Sequence, residues 1–177
     1  RLAREAGPGI PVVVAGSLRP GLVASLYGRL VSAARAAGAR VFLDAEGDAL
    51  RAGVAEKPEL VAPNEEEFIE WTGCRTDALR TLAGRAREAG GGTTVIVKLV
   101  PRGAPLSGAG RAWFAASPAV RALSTVGSGD ALLGGYVAAI AKGESPADAL
   151  ALGVAAGAAN TLTPGPGVVD PPTVQGL

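Results

Sequence analysis

Short apolar runs alternate along the chain with longer segments in which apolar residues recur at helical spacing. Pro11–Ala15 and Arg40–Asp44 have the apolar character of strands buried in a parallel sheet. A helical pattern follows each of them, over Leu22–Ala37 and Asp48–Val54. Alternation of this kind is typical of βαβ units, so the pattern predicts a single α/β domain over residues 1–177.

The alternation continues to the end of the chain. Further strands are predicted over Glu59–Ala62 and Thr93–Leu99, helices over 64–72, 76–89, 129–142 and 146–162, and a hairpin turn over Ser107–Gly110. Asn64 is the expected N-cap of its helix, because its side-chain oxygen can accept from a first-turn amide and the acids that follow favour the positive end of the helix. Thr163–Gly167 is predicted to be a loop, since proline and glycine alternate there.

The composition restricts the chemistry that this chain can perform. Its 177 residues, 48% of them apolar, suffice for a full core, and a net charge of +1 with interspersed acids and bases does not support a nucleic-acid groove. Cys74 is the only cysteine, which excludes a disulfide framework and favours a reducing compartment such as the cytoplasm. Histidine is absent, so Ser-His-Asp and Cys-His catalysis are excluded within this chain. Carboxylates, hydroxyls, lysine and backbone amides remain as catalytic groups.

No membrane segment is expected from the sequence. The longest apolar stretches, Ala131–Ala141 and Ala149–Ala159, are too short and too rich in glycine to span a bilayer. The mixed charges of Arg1–Glu5 are not those of a signal peptide. The chain begins with arginine and contains no methionine, which is consistent with a start inside a longer gene product.

The segment Ser124–Asp130 carries the clearest chemical signal. Glycine and serine lead directly into a helical run, and Asp130 lies at the junction. Unpaired amides at a helix start bind anions, and glycines there let a ligand approach the backbone. Because a carboxylate would repel a bound anion, Asp130 makes little sense in a site that only binds. It makes sense as a general base that takes the proton of a hydroxyl attacking a bound phosphate.

Four segments together resemble a known family. Ser124–Val137 closely resembles the C-terminal signature of the ribokinase-like carbohydrate kinases of the phosphofructokinase B type. Pro63–Glu67 is similar to that family's Asn-x-x-Glu motif. Gly16–Gly21 and Thr163–Gly167 resemble its hexose-phosphate branch, which includes 1-phosphofructokinase and tagatose-6-phosphate kinase. The implied fold is a ribokinase-like three-layer α/β fold, with a mainly parallel sheet and helices on both faces.

The resemblance implies ATP-dependent phosphorylation of a hydroxyl on a sugar phosphate of the fructose 1-phosphate or tagatose 6-phosphate type. Asp130 would be the general base, and its backbone amide would form an anion hole with those of Gly127, Ser128 and Gly129. The other implied site residues are Asn64 and Glu67 for magnesium, Asn64, Lys98, Gly103 and Val126 for the nucleotide, and Ser17 for the substrate. Magnesium keeps most of its waters, so a site with few protein ligands suffices.

Two departures from the family pattern affect the expected nucleotide site. Ala62 stands where the family usually carries a lysine two residues before the asparagine. Val100 replaces the first glycine of the usual Ser-Leu-Gly-x-x-Gly loop and would crowd the nucleotide. Our hypothesis is that Lys98 or Arg102 supplies the positive charge that is absent at position 62.

The resemblance leaves alternatives open. Family members are longer, and this chain resembles their C-terminal catalytic and nucleotide-binding portion, without the N-terminal part and its β lid. A non-catalytic nucleotide- or sugar-binding remnant is therefore one alternative, and a ribokinase or nucleoside kinase is another. A dinucleotide-binding Rossmann domain is less well supported, because no Gly-x-Gly-x-x-Gly follows the first strand. The expected partners are a sugar phosphate and ATP, not nucleic acid or membrane, and a homodimer is one candidate assembly.

Overall fold

The sheet follows the order of the chain. The computed structural model describes residues 6–19 and 21–177, and within these residues six strands form one sheet in the order β1 to β6. The strands are β1 (Pro11–Ala15), β2 (Arg40–Asp44), β3 (Leu60–Val61), β4 (Thr94–Ile96), β5 (Gly103–Gly108) and β6 (Arg111–Ala116). Strands β1 to β4 pair in parallel, and β5 pairs antiparallel with β4. The predicted α/β class with a mainly parallel sheet is therefore confirmed.

Helices follow most of the strands. In the described residues they are α1 (Ser25–Ala36), α2 (Gly47–Ala55), α3 (Glu65–Thr72), α4 (Leu79–Gly90), α5 (Ser128–Ala141), α6 (Pro146–Thr161) and α7 (Pro171–Gly176). No helix in this part of the chain is long and apolar enough to cross a membrane. The Arg1–Glu5 segment and Pro20, both used in the sequence argument, lie outside the described residues.

Several element ends differ from the sequence prediction for local reasons. β4 is shorter than predicted: it pairs with β3 at Leu60↔Thr94 and Val61↔Val95, and with β5 at Val95↔Ser107 and Ile96↔Leu106. α4 begins at Leu79 because the Thr76 hydroxyl accepts from the Ala78 amide, forming a turn before the helix. α7 was not predicted, although proline opens it and an aspartate side chain caps it.

The chain forms two compact units, and the first comprises residues 1–97 and 106–112. Its core lies along the inner strands, where Leu43 and Val61 are fully buried, and Val31 of α1 and Leu50 of α2 pack into the same cluster. Such apolar strands suit a parallel sheet covered on both faces. β1 ends the sheet order, and 47% of Val13 is exposed there.

The second unit comprises residues 98–105 and 113–177, and close packing of α5 against α6 dominates it. A Cβ added at Gly153 would lie 2.7 Å from the Leu132 carbonyl oxygen, and one at Gly157 would lie 2.9 Å from the Ser128 carbonyl oxygen. Gly135 packs against α6 in the same way, since a Cβ added there would lie 2.8 Å from the Ala156 Cβ. The small residues that the sequence places on these helices therefore let the two backbones approach.

The Gly153→Ala change should destabilise the second unit. Its new methyl group would overlap the Leu132 carbonyl, and overpacking of this kind costs about 1–3 kcal/mol in the free energy of unfolding. Urea unfolding followed by circular dichroism measures the loss. Gly134→Ala is the matched control, because Gly134 is exposed on α5 with nothing within 4 Å, and alanine should stabilise the helix there by about 0.5–1 kcal/mol. Equal effects of the two changes would contradict this account of the packing.

Candidate active site

The glycine loop of the second unit ends in the N-terminus of α5. Gly127 is the N-cap residue, with φ at 80°, a left-handed conformation that favours glycine. A Cβ there would also lie 2.8 Å from the Pro166 ring. No side chain of the described residues caps this N-terminus, so its first-turn amides are available to a ligand. Asp130 lies in that first turn and is exposed.

Ser128 has a structural part in the loop. Its hydroxyl donates to the Thr125 carbonyl at 2.8 Å, and its amide donates to the same carbonyl at 3.2 Å. These bonds close the turn before the helix. Among the amides predicted to form the anion hole, that of Ser128 is therefore already engaged within the loop.

Asn160 holds the loop in place, a role that its place in the sequence did not predict. The side chain is fully buried, its Nδ2 donates to the Val126 carbonyl at 2.9 Å, and its Oδ1 accepts from the Gly167 amide at 2.8 Å. It thus ties the glycine loop to the loop over 163–167. The side chain of Val126 itself is 64% exposed. A buried asparagine within an alanine-rich helix was the available signal, because a buried amide needs partners.

Lys98 lies beside the start of α5. Only 8% of the residue is exposed, and its Nζ lies 3.3 Å from the position that a Gly129 Cβ would occupy. The stem of the lysine passes the same glycine, since its Cδ lies 3.3 Å from that position. The missing side chain at Gly129 therefore makes room for the lysine. The arrangement places a positive charge next to the helix N-terminus, where an anion is already favoured.

A cavity of about 320 Å³ opens next to the loop within the second unit. Its walls come from the turn that contains Val100 and Gly103, from the extended segment 117–122, from the glycine loop and from α6. Gly103 is required by packing there, because a Cβ would overlap the Ala115 carbonyl oxygen. Val100 lies on the wall of this cavity and is 52% exposed. Its predicted effect on nucleotide binding stays a prediction.

In the first unit, Asn64 and Glu67 bond to each other's backbone. The Asn64 Oδ1 accepts from the Glu67 amide at 2.9 Å, and the Glu67 Oε2 accepts from the Asn64 amide at 2.7 Å. This reciprocal capping box starts α3 and explains both residues by local structure. Ala62, which precedes them, is fully buried.

The same pair also fits a hydrated magnesium ion. The described residues contain no group of three or more acidic, cysteine or histidine side chains that could enclose a metal. The capping box uses Oε2 of Glu67 and the single side-chain oxygen, Oδ1, of Asn64. Carboxylate and amide oxygens are the type of ligand that magnesium prefers, and the ion usually keeps several of its waters. The donor set therefore suits an ion that retains its waters, and it does not suit a fully enclosed one.

Ser17 follows β1 at the same edge of the sheet. β1, β2 and β3 are parallel, with Ala15 opposite Asp44 and Leu43 opposite Val61. Asp44 is the last residue of β2, and Ser17 and Asn64 follow the ends of β1 and β3. Ligands bind at this carboxyl edge in open α/β sheets. Ser17 is exposed there.

Tyr27 anchors the turn that carries Ser17. Its hydroxyl donates to the Gly16 carbonyl at 2.5 Å. Burial raises the pKa of Tyr27, and the negative charges of Asp44 and Glu46 raise it further. The phenol therefore stays protonated near neutral pH and remains a donor to the turn.

Comparison with known proteins agrees with the motifs. Residues 4–173 match the family described as pfkB family carbohydrate kinase. The chain is 34% identical over 165 residues to ATP-dependent 6-phosphofructokinase isozyme 2 of Escherichia coli, which covers 91% of this chain and 53% of that protein. It is 36% identical over 146 residues to 1-phosphofructokinase of Rhodobacter capsulatus, with 81% of this chain and 46% of that protein covered. The chain thus spans about half the length of the curated relatives it matches.

Solved structures give the same answer for the fold. Phosphofructokinase-2 from Escherichia coli in complex with potassium superimposes with a TM-score of 0.88 and 32% identity, covering 98% of this chain and 58% of that one. A putative phosphofructokinase from Staphylococcus aureus superimposes with a TM-score of 0.90 at 24% identity, covering 99% of this chain and 57% of that one. The ribokinase-like fold is therefore confirmed, and the chain belongs to the pfkB family of carbohydrate kinases.

Proposed function

We propose that this chain carries the phosphoryl-transfer centre of a kinase that phosphorylates a sugar phosphate of the fructose 1-phosphate or tagatose 6-phosphate type from ATP. The observation that carries the proposal is the exposed carboxylate of Asp130 in the first turn of a helix whose N-terminus no side chain of the described residues caps. A site that only binds phosphate gains nothing from a carboxylate there. The non-catalytic alternative is therefore less well supported.

The chemistry assigned to these residues is a single displacement. The Asp130 carboxylate accepts the proton of the attacking sugar hydroxyl, whose oxygen bonds to the terminal phosphorus of ATP while the bond to the departing ADP breaks. The amides of Gly129 and Asp130 stabilise the charge on the transferred group, together with those of Gly127 and Ser128 where they are free to donate. Lys98 adds a positive charge beside the same turn.

Magnesium, the nucleobase and the sugar phosphate are assigned to separate groups of residues in this proposal. Magnesium, when bound with ATP, would supply neutralising charge to the phosphates, and Asn64 and Glu67 would hold it through its waters. The cavity lined by Val100 and Gly103 would take the nucleobase, and Ser17 would contact the sugar phosphate. We also propose a cytoplasmic location, because a chain with a single cysteine fits a reducing compartment.

Asp130→Asn should abolish most turnover in the full-length protein. Asparagine preserves the size of the side chain but cannot accept the proton, so kcat should fall by about 10²–10⁴-fold while the affinity for ATP is unchanged. Steady-state kinetics and an ATP titration measure the two quantities. Asp148→Asn is the matched control, because Asp148 occupies the first turn of the next helix. Near-normal turnover in the Asp130 variant would refute the assignment of the base.

Glu67→Gln separates the capping role from the magnesium role. Glutamine retains an oxygen that can accept from the Asn64 amide, so the free energy of unfolding should hardly change. The loss of negative charge should raise the magnesium concentration needed for half-maximal activity. Glu66→Gln, on the exposed side of the same turn, is the control for charge alone. An unchanged magnesium requirement in the Glu67 variant would leave α3 with a purely structural cap.

Lys98→Met tests the origin of the missing positive charge. Methionine keeps an apolar stem in the same space, and loss of a charge-assisted contact to phosphate, worth about 1.5–3 kcal/mol, should raise the KM for ATP by about tenfold or more. Lys142→Met is the control, since Lys142 is exposed at the opposite end of α5. If ATP kinetics are the same in both variants, Lys98 does not compensate for Ala62, and the same pair of measurements on Arg102→Met examines the other candidate.

A further inference from the structure

The cavity beside the glycine loop has an unusual shortage of polar side chains for a site that would hold a nucleobase. Among the described residues that line it there is no acid, no carboxamide and no cation. The polar side chains are the hydroxyls of Ser117, Thr125, Ser128 and Thr161. The other walls are proline, glycine, alanine, valine and leucine. Recognition of a base edge by side chains therefore depends on these hydroxyls.

Two of these hydroxyls already donate their single proton to a carbonyl of the protein. The Ser128 hydroxyl donates to the Thr125 carbonyl at 2.8 Å, and the Thr161 hydroxyl donates to the Ala158 carbonyl at 2.7 Å. A hydroxyl has one proton to donate, so neither group can donate to a base as well. Both residues are also more than nine-tenths buried. Ser117 and Thr125 remain as side-chain donors.

Some backbone amides around the cavity also donate to carbonyls of the protein already. The Ser117 amide donates to the Arg102 carbonyl at 3.2 Å, and Pro118 has no amide proton. At the other end of the same segment, the Leu123 and Ser124 amides both donate to the Thr161 carbonyl, at 2.7 and 3.2 Å. The segment 117–124 is thus held by its own hydrogen bonds at both ends. Its middle contributes Ala119, Val120 and Ala122 to the cavity wall, none of which has a polar side chain.

We infer that the kinase does not discriminate strongly between phosphoryl donors by their nucleobase, and that the kcat/KM values for ATP, GTP and ITP lie within about 100-fold of one another. This inference rests on the proposed function, because it concerns the donor site of that same reaction. A pocket that holds a ligand by apolar contact cannot strongly reject a near-isostere, and its discrimination is about 10²-fold, whereas a pocket that hydrogen-bonds the distinguishing group reaches about 10⁴–10⁵-fold. Hypoxanthine and guanine carry an oxygen where adenine has its 6-amino group, and guanine has an additional 2-amino group. The lining of this cavity contains no charged or amide side chain that could distinguish these groups.

If the base is not read by its edge, Val100 affects the affinity for every nucleotide donor equally. Its side chain lies on the cavity wall and contributes only apolar surface and bulk. Val100→Gly should therefore change the Kd values for ATP and GTP by the same factor. A change for one nucleotide alone would mean that the base is read through its edge at this wall, which would overturn the inference.

The direct test is titration of the full-length protein with ATP, GTP and ITP in the presence of magnesium, followed by kcat/KM for each donor. We expect the three values to lie within about 100-fold of one another. A larger preference for ATP overturns the inference and leaves the proposed function intact. If none of the three nucleotides binds, the proposed function fails, and the inference fails with it.

Two variants identify any hydroxyl that reads the base. Ser117→Ala and Thr125→Val each remove one remaining side-chain donor while keeping the size of the side chain nearly constant. Each should change the ratio of the ATP and GTP kcat/KM values by less than about threefold. A larger change in that ratio would assign base recognition to that hydroxyl and overturn the inference. Equal losses for both nucleotides are the result expected from a change in packing alone.

Discussion

The second unit depends on how closely α5 and α6 approach each other. Gly153 faces the Leu132 carbonyl and Gly157 faces the Ser128 carbonyl at distances that leave no space for a methyl group. The Gly157 contact lies at the first residue of α5, so the packing that stabilises the unit also positions the N-terminus that would bind phosphate. One turn later on α6, Asn160 bonds to the loop on one side and to Gly167 on the other. Helix packing and site geometry are thus set by the same contact.

Charge is distributed unevenly around that N-terminus. The Asp130 carboxylate is exposed, while Lys98 is buried with its ammonium group beside Gly129. The exposed acid is accessible from solvent, as the proposed general base must be. The buried ammonium lies where the helix dipole already favours an anion, and an interaction there is screened less than one in bulk water. The arrangement suits a reaction in which a proton leaves the substrate as negative charge shifts on the phosphate.

Asn64 and Glu67 have a structural role in this protein, and the proposed magnesium site would give them a second one. The capping box uses one oxygen of each side chain and stabilises the start of α3. Magnesium usually keeps several of its waters, so the proposed ion would be held through those waters while the cap stays formed. Local geometry alone therefore accounts for the motif fully, and a role in catalysis depends on what binds near it.

Periodicity, capping and turn chemistry within short segments predict the α/β class, the positions of most helices and strands, and the glycine loop with the residues it contains. The same local signals were available for α7, which an aspartate caps and proline opens, and for the turn at Thr76 that moves the start of α4 by three residues, but neither was predicted from them. In contrast, the sequence does not show that Asn160 clamps the loop, that Lys98 lies against Gly129, or that the cavity offers few polar side chains; these follow from the fold. Each of these features depends on contacts between residues that are distant in the sequence. A local sequence pattern does not predict which distant backbone group a buried side chain will contact.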